Sequence, residues 1–568
     1  MSELKGDIFH PICLEDRAWM MEKLSVEEFK ACEYSFASNF IWRNVYDVQV
    51  AEIAGCGVIS YRGARGCQYT FPFGDGDKKE AFDQLWDYCK NKGHRLCLSP
   101  LGDEERKTLS SWYHGRFAFH SVRDSFDYIY TVERLANLRG RKLQKKRNHI
   151  ARFKDGDDWS YEPLCEDNIE KCRLMAKEWS AQREDKWSKS LAEEMGVLEE
   201  AFSNFKRLGF VGGVLYKQSR VVAFTIGEKI GDEMMIVHFE KAFPDIQGAY
   251  PMINQQFVRH ECEGLKLVNR EDDTGDMGLR KAKLSYYPDI LLKKYVALEG
   301  EVVTADEGDR DAIMSLWQTC FGDDEAYVDF YLKNRFTAEN MLVIYRDGRP
   351  VSMASFLPVT LTLGEERVAA FYVYAVATLP EYRKLGLSSK IINYAKETFE
   401  APLILQVENG SHELESFYEK LGFSSEFERI EKREIAAEKN EEDEFELKEI
   451  SSVAYRKLRD LHFAGVGYVS WNEEAIAYAL NENRFCGGNA YSVKGEERED
   501  ILLVRAEDEN LRIIETSMDE KELKKVLSSV CEEMQTKSCF IKNYGGMLYL
   551  PEKYKAPTKK GYLNLTLG

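Results

Sequence analysis

Proline is scarce, 13 residues in 568, which excludes long Pro-rich disordered tracts. No apolar run approaches the roughly 20 residues that cross a bilayer, so no integral membrane segment is expected. The start, Met1-Ser2-Glu3-Leu4-Lys5-Gly6-Asp7, lacks a basic stretch followed by an apolar one, and no secretory signal is expected there. Cysteine is present, but its 13 copies are an odd number, none in CxxC spacing. No Cys/His cluster has the spacing of a zinc site. Reduced, mostly buried thiols, a cytoplasmic location and no metal are the expectations. Short-period repeats and low-complexity tracts are absent too.

What is there suits a large folded chain: 44% hydrophobic and 31% charged residues. The length corresponds to about four domain-sized pieces. The net charge of -19 is uneven. Residues 1–300 carry 45 Lys+Arg against 48 Asp+Glu, a net of -3, and residues 301–568 carry 33 against 49, a net of -16. Bulk charge therefore argues against nucleic-acid binding by the second half, while a local patch in the first half stays possible. A charged segment at 428–449, a change of composition near 298–301 and a weaker one near 154–158 read as seams. Apolar runs at 210–216, 221–227 and 234–239 form one trio of strands, and runs at 341–345, 351–356 and 370–376 form another. Meanders flanked by helices predict an α/β (α+β) plan with mixed sheets, used more than once.

The sharpest chemical pattern lies at 370–423. A strand at 370–377 runs into Arg383-x-x-Gly386-x-Ser388, which opens a helical stretch at 390–397. Backbone N–H groups at such a helix start favour an anion such as pyrophosphate, and Gly386 lets the backbone come close to it. A second strand at 403–407 leads to Glu408-Asn409-Gly410 and a helix ending in Phe417-Tyr418-Glu419-Lys420-Leu421-Gly422-Phe423. A phenol placed there can protonate a thiolate leaving group. Taken singly, each motif reads equally as an ordinary helix start or a Gly-capped helix end. In this order they resemble the GNAT acyltransferase family. The resemblance implies acetyl-CoA or another acyl-CoA, with its pantetheine along the strand that carries Val376. Its pyrophosphate falls at Arg383, Leu385, Gly386, Leu387, Ser388 and Ser389. Asn409 matches a late polar position, and Tyr418 the general acid. Ser388 stands where Gly or Ala is usual. No base announces itself; Glu381 and His412 are merely close in sequence.

Two segments stand out in the first half. Residues 138–153 hold seven cations, Arg139, Arg141, Lys142, Lys145, Lys146, Arg147 and Arg152, with a thin apolar stripe. Such a run is either a solvated face or the seat of an anionic partner. Residues 268–288 hold Asn269, Arg270, Asp272, Asp273, Gly275, Asp276, Gly278, Arg280, Lys281 and Lys283, a loop that suits a polar binding site or an ion-paired turn. Both segments, with Ser38–Arg43, Val237–Lys241 and Gly248–Asn254, resemble the C-terminal domain family of phosphatidylglycerol lysyltransferases. That resemblance implies a Fem-like pair of fused GNAT-like units with a seam near 155, a site at Lys145, Lys146, Arg147, Asn269, Arg270, Asp273, Gly275, Arg280 and Lys283, and tRNA or a phosphate-rich ligand. The membrane-spanning half of those enzymes is not expected here, which counts against a lipid acceptor and equally against a tRNA donor. His238, at the end of an apolar strand, reads as a buried, satisfied histidine.

The expected organisation is therefore a lysyltransferase-C-terminal-like domain at 1–297, a GNAT domain at 302–425 and a degenerate GNAT-like domain at 445–568. The expected function is an acyl-CoA-dependent N-acyltransferase, most simply an N-acetyltransferase, acting on a small-molecule or peptide amine. Two alternatives stay open: an aminoacyl-tRNA-dependent or other acyl transferase centred on the first half, and a non-catalytic metabolite-binding protein.

Overall fold

Long uninterrupted burial marks the central strands. Arg220–Ile230 buries eight consecutive positions, and Arg349–Leu363 does the same. Such strands are covered on both faces, and neighbouring strands and helices gather around them. The computed structural model describes residues 7–27, 30–63, 66–155, 158–183, 188–407, 411–427, 433–437, 445–465, 467–495, 498–541, 546–555 and 560–563. They divide into two units, Met1–Gly300 and Glu301–Gly568. No helix among them is long and apolar enough to cross a membrane.

In the first unit, one seven-stranded sheet runs His10–Pro11, Gln49–Ile53, Cys56–Gly63, Gly66–Tyr69, Cys97–Leu101, Tyr295–Glu299, Phe117–Ser121. The other runs Ile290–Leu292, Asp127–Thr131, Leu267–Asn269, Met234–Ala242, Arg220–Ile230, Val211–Lys217, Trp159–Pro163. The change of sheet thus falls at 122–126 and not near 155. Asp127–Thr131 pairs with Leu267–Asn269 deep inside the second sheet, whereas Asp155 merely caps the helix Gln144–Lys154. The chain then returns, and Tyr295–Glu299 inserts between two strands of the first sheet.

In the second unit, the third sheet runs Val302–Thr304, Met341–Arg346, Arg349–Leu363, Glu366–Thr378, Leu403–Gln406, Gly546–Tyr549, and Val469–Ser470 adds to Arg349–Leu363. The fourth runs Arg433–Ile435, Ser538–Ile541, Asn510–Thr516, Glu499–Glu507, Gly488–Lys494, Glu446–Glu449. The segment after 445 is therefore not self-contained: Gly546–Tyr549 completes the third sheet against Leu403–Gln406. The described parts of the charged segment 428–449 supply both outer strands of the fourth sheet, where exposed charge discourages further pairing.

Each sheet has one parallel pair among antiparallel neighbours: Gly66–Tyr69 with Cys97–Leu101, Met234–Ala242 with Leu267–Asn269, Glu366–Thr378 with Leu403–Gln406, and Asn510–Thr516 with Ser538–Ile541. A parallel pair needs a crossover. The helices Lys78–Asn91, Ala249–Glu261, Leu387–Phe399 and Glu520–Glu533 provide it. Leu387–Phe399 buries Leu387, Ile391, Ile392 and Ala395, a one-sided stripe that lays it on its sheet.

Candidate functional site

The site in the second unit starts from the parallel pair. Leu403–Gln406 pairs with Glu366–Thr378 only at Phe371 and Tyr372. Beyond Tyr372 that edge has no ladder partner among the described residues. On the other side, the register with Arg349–Leu363 slips between Met353 and Ser355. Ala375 takes up the slack at φ 51°, a bulge that frees backbone groups from the ladder. Val376 lies half-buried just after it.

The chain leaves this strand through a short 3-10 turn, Pro380–Tyr382. The Arg383 Nε donates to the Thr378 carbonyl at 3.2 Å. Lys384 and Gly386 both lie in the left-handed region, at φ 64° and 74°. Leu385 is exposed, and a Cβ built on Gly386 meets nothing within 4 Å. The helix then begins with Leu387 buried and Ser388 and Ser389 half-buried. The turn therefore presents the unpaired N–H groups of a helix start to open space. Ser388 shares a 2.8 Å hydrogen bond with Thr378, which shares another of 2.8 Å with Ser352. The Ser352 hydroxyl also donates to the Ala377 carbonyl at 3.1 Å. The serine in place of Gly or Ala thus ties the helix start to the end of the bulged strand.

Tyr418 is buried on the helix His412–Lys420, against Phe417 and Phe423. Burial pushes its phenol up to about 12, so it holds its proton at neutral pH. Tyr372, on the strand carrying the bulge, is pushed up by burial and by the Tyr418 phenol. Asn409 lies outside the described residues. His412 is solvent-exposed, and Glu381 pairs with Arg349 at 3.4 Å.

The first unit sorts its basic residues differently. Lys145 is exposed. The Arg147 guanidinium donates to the carbonyls of Leu138 and, at 2.8 Å, Gly140. Lys146 instead lies 3.9 Å over the Tyr286 ring, and burial together with Arg270 lowers its ammonium to about 8. Arg270 pairs with Glu240 at 3.0 Å and stands 5.0 Å over the same Tyr286 ring. Its Nη1 is buried with no partner among the described residues. In the acidic loop, Asp273 accepts from Arg280 at 2.7 Å, from Tyr128 at 2.5 Å and from the Gly275 N–H at 3.0 Å. The Lys283 ammonium donates to the carbonyls of Arg270, at 2.6 Å, and Asp272. Asn269 donates to Asp127 at 2.8 Å. Asp273, Gly275, Arg280 and Lys283 thus brace their own loop, while Lys146 and Arg270 share a ring.

His238 is buried and satisfied as expected, but its partners, and a second buried network, escaped the sequence reading. His238 bridges Glu228 at 3.0 Å and Glu271 at 2.8 Å. Burial opposes its charge, but the two carboxylates raise it to about 10. Cys32, Glu33 and Asp127 cluster closely enough to ligate a metal ion, yet the Lys294 ammonium already stands among them, 2.5 Å from Glu33 and 2.7 Å from Asp127. Lys294 follows Lys293, and such a pair reads as surface in the sequence.

Residues 26–298 match the family described as phosphatidylglycerol lysyltransferase, C-terminal, and residues 301–425 match the acetyltransferase (GNAT) domain family, so both parts of the chain are similar to acyltransferase families. Among solved structures, a conserved protein of unknown function from Bacteroides thetaiotaomicron VPI-5482 is 36% identical, covering 51% of this chain and 99% of that one, with a TM-score of 0.50. L-PGS from Bacillus licheniformis is 14% identical, covering 51% of this chain and 92% of that one, with a TM-score of 0.37. A GCN5-related N-acetyltransferase from Anabaena variabilis ATCC 29413 is 15% identical, covering 44% and 71%, with a TM-score of 0.35. An uncharacterized protein of Mycoplasmoides gallisepticum is 22% identical over 193 residues, so the chain spans 60% of the length of that curated relative.

Proposed function

We propose that the chain is an acyl-CoA-dependent N-acyltransferase, most simply an N-acetyltransferase, with its centre on residues 366–418. The observation that carries this is the continuous path from the Ala375 bulge through the left-handed Lys384 and Gly386 to the helix Leu387–Phe399. An open turn with outward N–H groups and no side chain at Gly386 fits a pyrophosphate. Leu385, Gly386, Leu387, Ser388 and Ser389 would hold it, with Arg383 beside them, and the unpaired edge around Val376 would take the pantetheine. Asn409 keeps its place in this reading as a late polar contact. Acetyl-CoA supplies an activated thioester. This chain's part is to align an amine with it, to offer N–H groups freed by the bulge to the carbonyl, and to hold a proton on Tyr418 for the departing sulfur. The same parallel-pair-and-crossover plan supports counting all four sheets as GNAT-like, the last without an Arg-x-x-Gly-x-small turn. Calorimetry with acetyl-CoA, followed by thiol release in the presence of amines, tests the reading. Absence of acetyl-CoA binding refutes it.

A second reading concerns the first unit, where Lys146 and the unpartnered Nη1 of Arg270 share the Tyr286 ring. Two cations held together favour an anion, so this unit is proposed to take a phosphate-bearing ligand, tRNA included. Binding of bulk tRNA at low salt, and its steep loss as salt rises, tests it.

A further inference from the structure

Among the described residues of Glu301–Gly568, six buried polar side-chain groups have no hydrogen-bond partner: the Arg335 Nε, the Trp471 indole N–H, the Tyr478 hydroxyl, the Glu482 Oε1, the Arg512 Nε and the Thr536 hydroxyl. Buried polar groups are nearly always satisfied, so each exception asks for a cause. Three of these six, on Arg335, Tyr478 and Glu482, lie together, and a fourth, on Trp471, joins them through the neighbouring Tyr372 and Tyr374 rings. Tyr478 and Glu482 sit four residues apart on the helix Glu473–Phe485, on one face, 6% and 2% exposed. The Arg335 guanidinium stands 5.3 Å over the Tyr478 ring. Trp471, 3% exposed, packs 5.3 Å from the Tyr372 ring.

The surroundings are aromatic. Tyr331 meets Tyr478 edge-on at 6.3 Å and Tyr374 at 5.4 Å. Trp317 stands 5.7 Å from Tyr374. The Tyr327 and Tyr374 hydroxyls bond each other at 3.1 Å, and Glu482 acts electrostatically on both. Tyr374 precedes the bulge at Ala375, and Tyr372 neighbours Tyr418. The unpartnered groups therefore flank the strand position where an amine must arrive if residues 366–418 are the acyl-transfer centre. Trp471, Tyr478 and Glu482 also lie outside the segment matching the acetyltransferase family. The other Glu482 oxygen is fixed by Arg505 at 3.0 Å, and Arg505 is itself held by Asn483 at 3.1 Å. One carboxylate oxygen is thus aimed and left free.

We propose that Glu482, with the rings of Tyr327, Tyr374 and Tyr478, anchors a cationic amine as the acyl acceptor. A carboxylate oxygen lacking a donor, with the Tyr327 and Tyr374 rings beside it, is met by an ammonium group. The Tyr478 hydroxyl and Trp471 indole N–H, which need acceptors, select an amine that also carries a hydroxyl or carbonyl oxygen. This rests on the reading of the acyl-transfer centre given above, and its test can fail separately.

The experiment uses the full chain at pH 7.5 with tyramine, lysine amide and spermidine, and with tyrosol, the uncharged counterpart of tyramine. Binding is measured by calorimetry without acetyl-CoA, and acetyl-CoA affinity is measured alone. At least one amine binds and tyrosol does not. Glu482→Gln weakens that amine at least tenfold and leaves acetyl-CoA affinity within twofold; Tyr478→Phe, which keeps the ring, weakens it severalfold. Should Glu482→Gln fail to fold by circular dichroism, Tyr478→Phe and Trp471→Phe carry the test. The proposal is overturned if none of the three amines binds, if tyrosol binds as well as tyramine, or if the variants bind as the parent does. That last result assigns the unpartnered groups to water. A chain that binds an amine in a Glu482-dependent way but not acetyl-CoA upholds the anchor and sinks the acyl-CoA reading instead.

Discussion

Gly386 offers a test in which strain and ligand contact can be separated. At φ 74° it occupies a conformation that an L-residue adopts at a cost of roughly 1–2 kcal/mol. A Cβ there meets no protein atom within 4 Å, so Gly386→Val adds strain but no clash within the fold. A domain stable by about 5–15 kcal/mol survives that loss. The ligand does not escape as easily. To relieve the strain the turn must leave the left-handed region, and the N–H groups that open the helix then rotate away from a bound anion. Losing one hydrogen bond to a charged group costs about 1.5–3 kcal/mol, which corresponds to roughly 10- to 150-fold in affinity. Gly364 is the control: φ 62°, again nothing within 4 Å of a built Cβ, but in the hairpin between Arg349–Leu363 and Glu366–Thr378. Gly364→Val is expected to lower the melting temperature about as much as Gly386→Val while leaving acetyl-CoA affinity, read by calorimetry, unchanged. Equal affinity in Gly386→Val and the parent removes the turn as the pyrophosphate seat. Equal losses in both variants make the effect one of stability.

How much of this could be read in advance depended on distance along the chain. The turn from Arg383 to Ser389 is local, and a glycine before a helix with a small residue after it states its own geometry. The His238 expectation was local too, since an apolar strand dictates burial, but its partners Glu228 and Glu271 depend on strand pairing. The seam near 155 misled because Asp155, Asp157 and Asp158 look like a linker, whereas the real change of sheet is marked only by which strands pair. Gly546–Tyr549 completes a sheet begun some 240 residues earlier, and nothing local announces such a partner. The same limit hid Trp471, Tyr478 and Glu482. Read alone, Glu473–Phe485 is an amphipathic helix; only the face it turns to Tyr327 and Tyr374 gives a buried glutamate chemical meaning.

Tyr418→Phe is expected to lower the rate of thiol release about 100-fold or more without weakening acetyl-CoA; an unchanged rate dismisses Tyr418 as the acid. With the phenol at about 12, the parent's rate should show no alkaline fall due to this group below about pH 11. In the first unit, Lys146→Ala should weaken tRNA at low salt and flatten its salt dependence by about one charge; binding and slope unchanged from the parent would end the phosphate-ligand reading. The last prediction concerns His238. Its pKa is raised from 6.5 to about 10 in the folded chain, so the folded state binds the proton more tightly than the unfolded one. The stabilisation is complete below pH 6.5, declines through the window up to 10 and is gone above it. Each pKa unit is worth about 1.4 kcal/mol, so from pH 7 to 9 the parent should lose on the order of 2–3 kcal/mol through this group. Lys146 works the other way above pH 8, since its folded pKa is lowered, and a bare melting curve mixes the two. The difference between parent and His238→Gln isolates the histidine, because Lys146 is common to both. Glutamine leaves Glu228 and Glu271 without their cation, so the variant starts less stable at pH 7, and the gap should close as pH approaches 10. A gap that stays constant across that window would mean that His238 is neutral between its two carboxylates, held by hydrogen bonds alone.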